Sequence, residues 1–132
     1  MSVRNIIKEY ALVTTITEPI TFSGPFPSPI TVNVTFVKIG RSVIVTIPDV
    51  TGHITTSTII SSSPIPETMY SDTQMILPYI VANESGHGIA SMTVYNNYFE
   101  FYHTTTGHSA FPLTSTLNLG FNGFCVTYTS QN

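Results

Sequence analysis

The sequence predicts an all-β domain built as a sandwich or barrel, and three observations carry that expectation. Short runs of alternating or β-branched residues recur along the 132 residues, each bounded by Gly, Pro, Asn or Ser, the pattern of strands joined by turns. Helical signals are scarce, because Pro, Gly and β-branched residues interrupt every long stretch. Ser and Thr supply roughly a quarter of the chain, and Thr fits a pleated surface well.

In order, only Ser2–Leu12 supports a short helix, with Ile6, Ile7 and Tyr10 on one stripe. Strands are expected at Leu12–Thr17, Ile30–Ile39, Ser42–Ile47, His53–Ile60, Gln74–Val81, Gly88–Tyr95, Tyr98–His103, Thr114–Leu119 and Phe124–Thr129. Between them PDVTG, SSSPIPE, ANESG, YNN, HTTTGH and LGFNG read as turns. Alternation is clearest where Val32, Val34 and Phe36 oppose Thr31, Asn33 and Thr35. Gly40-Arg41 then supplies a tight reversal. Ser42–Ile47 is apolar on both faces near its middle, so it reads as a central strand or one covered by another subunit. Pro48 ends it. Residues 1–16 form an N-terminal segment (strand, helix or tether), and residues 17–132 the domain.

A resemblance follows from these framework residues. Phe22-x-Gly24-Pro25, the alternating strand, Ile39-Gly40, the apolar strand and Ile47-Pro48 resemble the compact jelly-roll heads of large-DNA-virus and bacteriophage structural proteins. Those heads are similar to the C1q and tumour-necrosis-factor fold. The closing GFNGFCVTYT, Gly120–Thr129, is similar to their last turn and strand. The likeness covers roughly Thr17 to Thr129 and implies a two-sheet antiparallel jelly-roll sandwich assembling as a homotrimer. Such heads often cap a stalk. Only about twenty residues precede the domain here, so the expectation is a free-standing trimer.

Composition bounds the function. Charged residues make up 8% of the chain, against about 25% in ordinary soluble domains, so hydroxyls must wet the surface. Lys8, Lys38, Arg4 and Arg41 are scattered, which argues against nucleic-acid binding and a polybasic membrane anchor. No run is long and apolar enough for a membrane helix, and the opening residues lack a signal-peptide pattern. The single Cys125 permits no internal disulfide. Cys125 is expected as a buried, inert thiol in an apolar strand. The single cysteine fits synthesis in a reducing cytoplasm, and the resemblance implies association with a virion or other particle.

Few constellations carry chemistry. His53, His87 and His108 each follow a glycine, and His103 lies close by. Either Gly sets the turn and His is a tolerated polar neighbour, or the imidazoles bind a metal on one subunit or around a threefold axis. There is no HExxH and no G-x-S-x-G, and Asp49 and Asp72 stand alone rather than in a calcium loop. No catalytic residue, metal or cofactor is therefore expected. A cupin-like metalloenzyme is the reading that clustered ligands would favour. The sequons Asn33-Val34-Thr35 and Asn83-Glu84-Ser85 read as chance.

Aromatic residues supply the remaining candidates. In YFEFYH, Phe99 and Phe101 fall on one face, and Tyr98, Glu100 and Tyr102 on the other. Tyr98, Phe99, Phe101, Tyr102, Phe124 and Tyr128 are candidates for a trimer interface. Tyr95, Asn96, Asn97 and Tyr98 are candidates for holding a glycan, since sugars stack on aromatic faces and bridge amides. The leading expectation is a non-enzymatic structural or surface protein, partnered by itself and by other virion or surface proteins. The alternative is a lectin-like adhesion module.

Overall fold

A computed structural model gives the fold for residues 12–83, 86–105, 109–112 and 118–131, with side chains at 80–89 excepted. Ten strands are described: β1 (Val13–Ser23), β2 (Ile30–Ile39), β3 (Ser42–Ile47), β4 (Val50–His53), β5 (Ile60–Ser62), β6 (Met75–Asn83), β7 (Gly86–Val94), β8 (Phe99–Phe101), β9 (Asn118–Phe121) and β10 (Phe124–Thr129). One 3-10 turn, Glu67–Met69, stands between β5 and β6. No helix among the described residues is long and apolar enough to cross a membrane.

The strands pair in the order β10-β3-β2-β1-β5-β8-β7-β6-β9-β4, and every ladder is antiparallel. Only two residues, Pro48 and Asp49, connect β3 near one end of that order to β4 at the other. Two residues reach about 10 Å at most, so the ends of the order must lie together and the sheet folds back on itself. The fold is along the β1–β5 ladder, where just Phe22↔Ser62 and Ser23↔Ser61 pair. This makes an antiparallel sandwich of two layers, β10-β3-β2-β1 and β5-β8-β7-β6-β9-β4.

The core between the layers is aromatic. Phe22 of β1 meets Phe101 of β8 at 5.8 Å and Phe121 of β9 at 5.6 Å between ring centres. Tyr79 of β6 stacks on Phe124 of β10 at 5.7 Å. Such pairs add about 0.5–1.5 kcal/mol each beyond the area they bury. In β3, Val43, Val45 and Ile47 are wholly buried while Ile44 remains 36% exposed. The strand is therefore central in its layer, with its outer face open in the single chain.

The outer face of β10-β3-β2-β1 carries no charged side chain. Thr17, Thr35, Thr46 and Cys125 form one row across its four strands, tied by Thr17–Thr35 at 3.1 Å and Thr46–Cys125 at 3.3 Å. Cys125 is thus exposed, not buried as expected. Strand alternation sends Val126 and Tyr128 inward and leaves Cys125 on the other side.

Ile30–Ile39, Ser42–Ile47 and Phe124–Thr129 form strands with the expected limits. The expected His53–Ile60 strand is instead two, β4 ending at His53 and β5 beginning at Ile60. PDVTG and LGFNG, read as turns, contribute β4 and β9, which pair with each other. Gly120 makes that pairing possible: it adopts φ +143°, and a Cβ there would lie 2.0 Å from the Val50 carbonyl oxygen. β1 pairs from Val13 onward, so the ladder includes residues 13–16. The Ser2–Leu12 helix falls outside the described residues except at Leu12.

Candidate functional site

β7 and β8 form a hairpin in which Val94 faces Phe99, and Tyr95-Asn96-Asn97-Tyr98 closes it. The Tyr95 N–H donates to the Tyr98 carbonyl at 2.9 Å. The two phenol rings therefore emerge side by side and stack, 4.8 Å between centres and 9° from parallel. Hairpins this tight usually place φ > 0 in the turn to match strand twist, but among the described residues only glycines do so.

Neighbouring chain supplies the missing restraint. The Ser71 N–H donates to the Asn96 carbonyl at 2.9 Å, and Asn96 Nδ2 returns a bond to the Ser71 carbonyl at 3.1 Å. The Ile65 N–H donates to the Asn97 carbonyl at 2.9 Å, and Ser62 Oγ accepts the Phe99 N–H at 2.8 Å. The segment from Ser62 to Ser71 is in effect a strap across the turn.

Glu100 edges the stacked pair. Alternation along β8 points Phe99 and Phe101 into the core, both fully buried, and Glu100 the other way, half-buried. The Tyr102 hydroxyl donates to Glu100 Oε2 at 2.9 Å and lies 3.0 Å from Thr93 Oγ1. The Tyr98 hydroxyl reaches Glu100 Oε1 at 3.4 Å. Partial burial, then the nearby Glu100 charge, raise the Tyr98 phenol above its ordinary range. Burial chiefly raises that of Tyr102. Both phenols are neutral donors at physiological pH. The result is a half-exposed aromatic surface beside a carboxylate, on a fixed turn.

The structure distributes the other candidates. Of the six interface aromatics, Phe99, Phe101, Tyr102 and Tyr128 are buried within the single chain, while Tyr98 and Phe124 are only partly buried. His53 is exposed on β4 opposite Asn118. His103 packs its ring on Phe111 at 5.4 Å, and burial lowers its pKa. The backbone of His87 pairs with Ala82 in the β6–β7 ladder; its side chain, and all of His108, lie outside what is described. Among the described residues no three His, Cys, Asp or Glu side chains converge as metal ligands. Asp49 accepts a bond from the Gly123 N–H and Asp72 pairs with Arg41 at 3.3 Å, so both acids have structural partners.

Glu100 was on the right face in the sequence, between two tyrosines, yet nothing there marked it as part of the site. The strap was invisible for a different reason, since two of its four bonds join backbone to backbone and leave no residue signature.

Fold and site together define a class: a β-sandwich with a rigid, tyrosine-faced turn at its surface. Comparison with family models and with curated proteins finds no match. Among solved structures, the chain is similar to the reovirus attachment protein sigma1, determined in complex with alpha-2,3-sialyllactose. The TM-score is 0.54 at 9% identity, covering 95% of this chain and 69% of the other. At that identity the likeness is one of fold.

Proposed function

We propose that this chain is a non-enzymatic surface protein, virion-associated, that assembles as a C1q- and tumour-necrosis-factor-like jelly-roll homotrimer and attaches by holding a glycan. The observation that carries the attachment role is the Tyr95–Tyr98 stack, half-exposed to water and strapped in place before any ligand arrives. Aromatic surface of this kind accepts the C–H face of a pyranose, and a prepositioned turn loses little freedom on binding. The fold likeness to a viral attachment protein supports the same reading.

The uncharged outer face of β10-β3-β2-β1 supports assembly. It offers apolar and hydroxyl surface to a like copy with no charge to desolvate. Light scattering should give about 43 kDa, three times the 14.4 kDa chain. A monomer mass overturns the trimer. A glycan array decides attachment: wild type is retained on a subset of glycans and Tyr98→Ala is not. Retention on none leaves the purely structural role.

A further inference from the structure

We infer that the Tyr95–Tyr98 turn takes an uncharged sugar, a neutral hexose or N-acetylhexosamine, and discriminates against sialylated glycans. This rests on the glycan reading above and adds the chemical class of ligand.

Glu100 is the residue that decides it. A carboxylate offers about four acceptor positions on its two oxygens. The hydroxyls of Tyr102 and Tyr98 approach one oxygen each, at 2.9 and 3.4 Å. Acceptor capacity is therefore left for hydroxyls of a sugar laid on the neighbouring rings, and bonds to an ionised acceptor are the strong kind. A neutral sugar has hydroxyl donors to give. A sialic acid brings a carboxylate of its own, which meets Glu100 as a like charge.

Among the described residues the two cations, Lys38 and Arg41, are bonded elsewhere. Lys38 Nζ donates to the Thr68 carbonyl at 3.2 Å. Arg41 donates to the Ser130 carbonyl at 3.0 and 2.8 Å and pairs with Asp72 at 3.3 Å. Asp72 follows the Ser71 that straps Asn96, so the guanidinium that reaches that end of the strap is paired with a carboxylate. The amides beside the rings carry no charge. Aromatic surface, neutral amides and one carboxylate describe a site for hydroxyl donors rather than for anions.

The test is a glycan array read across pairs of glycans that differ only by a terminal sialic acid, using the full chain. Wild type should hold the neutral member about tenfold more tightly than the sialylated one. Glu100→Gln keeps the side-chain shape and removes the charge, so the gap should narrow to about threefold or less, mainly through better retention of the sialylated member. A second measurement needs no variant: raising salt should shrink the wild-type gap, because the penalty is between charges. Equal or tighter binding of sialylated members by wild type overturns this inference and leaves the glycan reading intact. Retention of no glycan at all overturns both.

Discussion

The β2–β3 and β7–β8 hairpins reverse the chain over connections of two and four residues, and they are held by opposite means. Between β2 and β3, Ile39 faces Ser42 across Gly40-Arg41, and Gly40 adopts φ +60°. That turn carries its own geometry, and a Cβ on Gly40 would touch nothing within 4 Å. Between β7 and β8, no residue of Tyr95-Asn96-Asn97-Tyr98 has positive φ, and the reversal depends on bonds from Ile65 and Ser71. A turn that closes itself needs glycine and little else. A turn held from outside can present side chains selected for another purpose, here two tyrosines and a carboxylate beside them.

The largest effect that tests this contrast lies under β8. Phe101 is fully buried and packs on Phe22, Tyr79, Phe121 and Phe124, so Phe101→Ala should cost about 3–5 kcal/mol. Val45→Ala, its counterpart under the β2–β3 hairpin, removes less and should cost about 2 kcal/mol. Equal losses in urea titrations would show that the second hairpin does not rest more heavily on the core than the first.

Alkali should also separate the two regions. The Tyr79 hydroxyl donates to the Tyr102 carbonyl just beyond β8, and that of Tyr128 to the Met69 carbonyl at 2.5 Å. Burial raises both phenols above their ordinary 10.0. Below pH 10 folded and unfolded chains are equally protonated at these groups, and their contribution is intact. Above it the unfolded chain loses the protons first, so stability falls by about 1.4 kcal/mol per pH unit for each tyrosine. Amide exchange at alkaline pH should report loss around β8, where Tyr79 bonds Tyr102, before the β2–β3 turn; Tyr128 faces Val43 from β10 but bonds Met69, not the hairpin.

The smallest effects distinguish the turns themselves. Gly40→Ala forces a left-handed alanine and should cost about 1–2 kcal/mol, with glycan retention unchanged. Asn96→Ala deletes one strap bond, costs about 0.5–1.5 kcal/mol, and weakens glycan retention because the stack loses part of its support. Should Gly40→Ala impair retention as well, the two hairpins would not be independent.

Much of the framework was legible in the sequence because its determinants are local. Alternation and Gly40 marked β2 and β3, and the alternation of YFEFYH sorted Phe99 and Phe101 from Glu100. β4 and β9 were read as turns because each is short and rich in Gly, Asp or Asn. They are strands by virtue of each other, through a pairing that spans the chain and needs Gly120. Cys125 shows the same limit: its neighbours look apolar, but one step of register decides inside from outside. The candidate tyrosines could be named from YNNY, whereas their stacking and the strap arise from partners that the local pattern does not contain.

The two-residue link from β3 to β4 has a kinetic meaning. β3 leaves its layer almost at once, while its second partner, β10, comes only after six further strands. During synthesis the edge of β3 that β10 will cover therefore stays unpaired until nearly the whole domain has been made. Sheets closed by such distant pairings fold in milliseconds to seconds rather than microseconds, and an open edge in that interval can recruit the same strand from another chain. The domain's most regular hairpin is thus also where newly made copies are most exposed to one another.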